Sequence, residues 1–213
     1  MRILKIKPSH LIRATALSLA VAALSACGNG ATETDAGRSG KTVSTGTADL
    51  GGPFTLINQD GETVTEAALL GKPHMIYFGF TYCPDVCPVS LQKLGAAQEI
   101  LGENGDDIGY ILISVDPERD TPELLKQYIT ADVFPSGLRG FTGSLEQVEV
   151  AKKAYKVYAA KAELEDSVSE YTVDHSDIIY MMDKKGKFVA YFGQRQTPLD
   201  IATRARKHLR TGK

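Results

Sequence analysis

The chain has 213 residues, with 24 Lys and Arg against 26 Asp and Glu, 43% hydrophobic residues and three cysteines. A formal charge of −2 excludes a nucleic-acid binder that works through a broadly basic face, because phosphate contacts need an excess of Lys and Arg. The length suits one domain with a proper core once terminal segments are set aside.

Residues 1–26 read as a signal peptide. Arg2, Lys5, Lys7 and Arg13 accompany an apolar run over residues 14–24, far short of the ~20 residues that span a bilayer. The run ends in Leu24-Ser25-Ala26-Cys27, which resembles the lipobox of bacterial lipoproteins. That resemblance implies cleavage before Cys27, acylation of its thiol, and a protein held by lipid at an extracytoplasmic (periplasmic-side) membrane surface. The segment carries four of the 24 basic residues and none of the 26 acidic ones, which leaves a mature chain of about −6. Residues 27–50 then comprise the lipidated Cys27 and a flexible tether. Val43 and Leu50 are its only large apolar side chains, too few to offset the entropy of ordering it. Residues 51–213 form the folded domain.

Within that domain, residues 54–57 and 62–64 flank Asp60-Gly61 as a hairpin. Residues 74–78 and 108–115 are apolar, β-branched and aromatic runs, hence buried strands. Between them, residues 84–101 read as a helix with Leu91, Leu94 and Leu101 at helical spacing and Gly102 as its stop. Thr121-Pro122 opens a further helix, and residues 138–141 a short strand. Ser144-Leu-Glu-Gln147 is a capping-box pattern for a helix running to about Val157. Residues 177–182 and 187–192 flank Asp183-Lys-Lys-Gly186 as a second hairpin. Thr197-Pro198 opens the last helix, whose Arg204, Arg206, Lys207 and Arg210 read as a solvated face. Strands alternating with helices, then a hairpin and a helix, predict an α/β domain with a mixed central sheet. The order resembles thioredoxin, with an added amino-terminal β-hairpin and a helical insertion.

Cys83 and Cys87 sit where the first core strand gives way to a helix. Unpaired N–H groups and the positive dipole end at that point favour thiolate over thiol. Four residues apart, both sulfurs can face one side. Three uses compete. A structural disulfide restrains the unfolded chain little, because the closed loop is so short. Thioredoxin-type redox catalysis ordinarily has two residues between its cysteines, and this chain has three. A metal site needs a third donor from elsewhere. His74 and His208 read as packed or capping residues, whereas His175 lies just before the apolar strand over residues 178–182, and in a thioredoxin-like topology the loop entering that strand passes beside the cysteine helix. Thioredoxins place a proline there, and this chain has none between Pro135 and Pro198. Two thiolates and an imidazole suit copper, although zinc also accepts that donor set. Asp174 is a candidate to orient the imidazole from behind, or a loop charge in water.

Three blocks together resemble the Sco/SenC family: Tyr77-Phe-Gly-Phe-Thr-Tyr-Cys83-Pro-Asp-Val-Cys87-Pro, Ser114-Val-Asp-Pro-Glu-Arg-Asp120-Thr-Pro122, and Val173-Asp-His175-Ser176 with Tyr180. The resemblance covers residues 52–210. It implies a thioredoxin-like fold, one copper ion bound by Cys83, Cys87 and His175, and a role in maturing the CuA centre of cytochrome c oxidase subunit II. Subunit II and a copper-donor chaperone would then be the partners of a monomeric, lipid-anchored metallochaperone with no turnover of its own. The alternative within the family is a thiol–disulfide oxidoreductase that reduces the CuA-site cysteines of the apo-oxidase, or a redox sensor. Peroxide reduction rests on fold alone. In the second block Asp116, Arg119 and Asp120 either shape a docking surface or cap local structure.

Overall fold

The structure, a computed structural model, describes residues 49–163 and 171–212. The expected signal peptide, Cys27 and residues 28–48 of the tether lie outside the described residues.

Seven strands form one sheet. β1 (Thr55–Asn58) and β2 (Thr63–Thr65) are the expected first hairpin. β3 (His74–Gly79), β4 (Gly109–Ser114) and β5 (Leu138–Thr142) run parallel to one another in the centre. β8 (Ile179–Met182) and β9 (Phe188–Phe192) close the other edge antiparallel. The strand order is β2-β1-β5-β4-β3-β8-β9. All six residues of β3 are buried. A strand apolar on both faces belongs between helical layers.

Successive side chains of β3 show which layer each face meets. Phe78 packs on Tyr155 of α3 (Leu145–Tyr155), with ring centroids 5.4 Å apart. Tyr77 points oppositely, toward the helix that carries Cys87, α1 (Val86–Leu101). α4 (Pro198–Thr211) packs along α1, and α2 (Pro122–Tyr128) lies against β5. Three helix starts behave as their sequences predict. Thr121 accepts from the N–H of Leu124, and both Ser144 and Thr197 form complete capping boxes. Among the described residues no helix is long and apolar enough to cross a membrane.

Two features differ from expectation. α1 begins at Val86 and not at Pro84, with Asp85 as its cap residue but no side-chain capping bond. A separate two-stranded sheet also appears, formed by β6 (Ala159–Glu163) and β7 (Tyr171–His175). Ala-Ala-Lys-Ala-Glu has neither β-branched residues nor alternation, so β6 carries no strand signal of its own. Its backbone is recruited by β7, and His175 pairs with Ala159 at the end of that ladder.

Candidate metal centre

The loop after β3 delivers the first cysteine. Cys83 is 8% exposed and Cys87 fully buried, and both are free thiols. The N–H of Cys87 donates to the Cys83 sulfur at 3.4 Å. A sulfur thus occupies the place that a polar side chain takes at most helix starts, which explains why Asp85 makes no capping bond. The close approach of Cys87 to the sheet depends on Gly79, where a Cβ would lie 3.1 Å from the Cys87 sulfur and 2.7 Å from the Tyr77 ring.

His175 arrives from the β6–β7 sheet. Its Nε2 lies 3.3 Å from the Cys87 sulfur, and the ligand atoms of Cys83, Cys87 and His175 all fall within 4.8 Å of one another. The Nδ1 lies 3.2 Å from the Ser176 carbonyl. A carbonyl can only accept, so this contact holds the ring hydrogen on Nδ1 and leaves an Nε2 lone pair facing the sulfurs. Phe80 and Tyr77 set the ring in edge-on contacts at 5.8 and 6.1 Å. The structure therefore brings together the three expected donors. Asp174, the candidate orienting carboxylate, does not join them. Neighbouring residues of a strand face opposite ways, and Asp174 is exposed while Ser176 takes the orienting place.

The paired sulfurs share one proton. The hydrogen bond from the Cys87 thiol, with those from the N–H groups of Asp85 and Cys87, holds the Cys83 thiol well below its ordinary range against the cost of burial. Cys87 is pushed up by bonding to Cys83 and by burial. One sulfur is thus a ready thiolate and the other keeps its proton until a cation replaces it.

Sequence reasoning missed the groups that hold these donors. Asp177, two residues past His175, accepts from Tyr77 (3.0 Å) and from Ser90 of α1 (2.8 Å). That carboxylate pins the chain leaving β7 to both β3 and α1. On the other side of His175, the Arg119 guanidinium stacks 3.7 Å from the Tyr171 ring centroid and 5.0 Å from that of Tyr82. Its Nε donates to Asp116, and Nη1 donates to the Tyr171 carbonyl at 3.1 Å. The Tyr171 hydroxyl donates back to Asp116 at 2.8 Å. Asp116 and Asp120 are 1% and 0% exposed, so both carboxylates act as internal braces and not as a docking surface. The only sequence signal was the density of charge in the Ser114–Pro122 block, which does not say which way the charges point.

Arg119 joins the histidine strand to the cysteine loop, which yields a direct expectation. Arg119→Met keeps the apolar stem but removes the stacking charge and its bonds, together worth about 2 kcal/mol in such a setting. Amide exchange over residues 171–175 should then quicken by at least about tenfold, as read by hydrogen-exchange mass spectrometry. Unchanged protection there would show that the hairpin is held by its ladder alone.

Comparison with known proteins matches residues 42–210 to the SCO1/SenC family. The chain belongs to that family. It is 47% identical over 152 residues to the mitochondrial SCO1 homologue 1 of Arabidopsis thaliana, covering 71% of this chain but only 44% of that protein. With SenC of Rhodobacter capsulatus the identity is 40% over 162 residues, covering 76% of this chain and 72% of the relative. Among solved structures, Arabidopsis ScoI with copper bound superposes with a TM-score of 0.70 at 42% identity, covering 76% of this chain and 98% of that one. A SCO1/SenC family lipoprotein from Bacillus anthracis gives 0.62 at 29% identity, covering 78% and 96%. The sheet order and helix placement described above are thus those of a thioredoxin-like SCO1/SenC domain.

Proposed function

We propose that this SCO1/SenC protein binds one copper ion through Cys83, Cys87 and His175 and delivers it to the CuA centre of cytochrome c oxidase subunit II, after receiving it from a copper-donor chaperone. The observation that carries the reading is the convergence of two sulfurs and one imidazole nitrogen within 4.8 Å. These are soft and borderline donors that suit Cu(I) and Cu(II) better than a hard cation. Copper bound in the related Arabidopsis structure supports the same assignment. Three protein donors leave a coordination position for an incoming ligand, so an ion held here can leave by ligand exchange. We further propose that residues 1–26 are removed, that Cys27 carries lipid, and that residues 27–50 tether the domain to the extracytoplasmic face of a membrane as a monomer.

The test is copper loading of the purified protein followed by metal analysis and absorption spectroscopy. One equivalent per chain is expected, with an intense thiolate-to-Cu(II) charge-transfer band that disappears in Cys83→Ser and in Cys87→Ser. A protein that takes up no copper, or keeps the band without either cysteine, defeats the assignment.

A second reading draws on the same pair. A thiolate at Cys83 beside a protonated Cys87 is also the arrangement of a dithiol reductant. Cys83 would attack a partner disulfide, and Cys87 would then release the partner as a dithiol while the pair closes to its own disulfide. His175 separates the two readings, because thiol exchange does not need it.

A further inference from the structure

We infer that the end of the domain opposite the metal centre is a docking face for an anionic phospholipid surface. β3, β4 and β5 are parallel, and Cys83 follows the far end of β3, so their starting ends form the opposite pole. At that pole Leu70 is 51% exposed. The residue beside it, Gly71, donates its N–H to the carbonyl of Lys184 (2.9 Å) in the β8–β9 turn. A Cβ on Gly186 of that turn would lie 3.3 Å from the Leu70 side chain, so leucine and turn are in contact. α4 ends there too, since Leu209 and Gly212 share a cleft with Pro73, Lys185 and Lys187.

The exposed cations on this pole are Lys72, Lys184, Lys185, Lys187, Lys207 and Arg210. Asp183 lies among them, but its Oδ1 is occupied by the N–H groups of Lys185 and Lys187 at 2.8 Å. Asp106 and Asp107, exposed just before β4, share the pole, where Lys72 reaches the Asp106 carbonyl at 3.5 Å, and Glu66 lines a cleft with Leu70 and Lys185; the six cations still outnumber these acids. The mature chain is acidic on balance, so a pole this rich in lysine runs against its average. One exposed leucine amid long cationic side chains is the pattern that seats in a headgroup layer. The apolar group enters the acyl boundary, and the lysines stay among the phosphates.

The point where the chain enters the domain favours a membrane over a soluble acidic partner. Gly51 donates to the Ala154 carbonyl at 2.9 Å, and a Cβ on it would lie 3.0 Å from Met182 and 3.4 Å from the Gly186 carbonyl. The chain therefore joins the domain beside the lysine-bearing turn. This inference rests on the proposed lipid anchor only for its direction: a tether arriving here brings this pole to the bilayer and leaves Cys83, Cys87 and His175 facing away from it.

The experiment is lysine acetylation footprinting of the full chain with vesicles of phosphatidylcholine alone or mixed with phosphatidylglycerol. On the anionic vesicles, labelling of Lys72, Lys184, Lys185 and Lys187 should fall about tenfold. Labelling of Lys93 and Lys126 should stay unchanged, and the protection should vanish in high salt. Leu70→Glu, a change on an exposed loop, should abolish the protection without altering copper uptake. Equal labelling on the two vesicle types overturns the inference. So does protection by an acidic soluble oxidase domain but not by anionic lipid, which would make this a protein interface. The anchor is read separately, as retention on phosphatidylcholine alone, so its failure is distinguishable from that of the docking face.

Discussion

Replacing His175 by alanine is expected to lower copper affinity by more than about 100-fold while the fold and both thiols persist. Loss of a group that merely orients a ligand already costs about 10- to 100-fold, and here a ligand itself is removed. The imidazole is half-buried at the end of β7, held by edge contacts to Phe80 and Tyr77 and outside the β3–β4 core. Its removal should cost the fold only about 1 kcal/mol. Two cysteines without the histidine still attract Cu(I), so the loss should be greater for Cu(II), which relies more on nitrogen donors. Competition against a chelator of known affinity in each oxidation state measures the effect, and thiol titration should still return two reactive groups. If affinity in both states survives the substitution, the imidazole is not a ligand and the dithiol reading takes its place.

Much of this arrangement was legible in the chain itself. Continuous apolar runs marked β3 and β4 as strands buried on both faces, and Thr-Pro and capping-box signals fixed the starts of α2, α3 and α4. The site was legible because a cysteine pair at a strand-to-helix junction and a histidine before a later strand are placed by topology, whatever lies between. Less local features were hidden. Nothing in Ala159–Glu163 marks a strand, because that segment pairs only where β7 offers its edge. α1 starts two residues later than the Pro84 signal predicts, because proline suits a first helical position, whereas the Cys83 sulfur takes over the capping contact only once the chain is folded. Asp174 and Asp177 are equally near His175 in sequence; strand alternation turns the first outward, and only the packing of α1 on β3 gives the second its partners. Which carboxylates face inward is a tertiary fact, and a single sequence does not carry it.

Asp120 is the inward carboxylate whose loss should cost most. It is fully buried and accepts from the Thr81 N–H at 3.2 Å, the Thr81 hydroxyl at 2.6 Å and the Ser114 hydroxyl at 2.6 Å. Thr81 lies two residues before Cys83, so this one group ties the cysteine loop to the end of β4. Asp120→Ala leaves three donors without their acceptor, at about 1–3 kcal/mol for each that stays dry. A loss of about 3 kcal/mol or more in urea unfolding is expected, together with weakened copper binding. Asp120→Asn isolates the charge. Burial, more than repulsion from Asp116, raises the Asp120 pKa above 3.8, although the bonds from Ser114 and Thr81 oppose it. The folded protein then keeps a proton over a range of pH in which the unfolded chain has already lost it. This group's contribution to stability is complete below 3.8 and declines as pH rises through the folded-state value. The asparagine cannot ionise, so unfolding measured at a series of pH values should show the variant gaining on the parent as pH rises across that interval. A difference that stays level or moves the other way would mean that the three donors outweigh burial and that the carboxylate is charged at no cost to the fold.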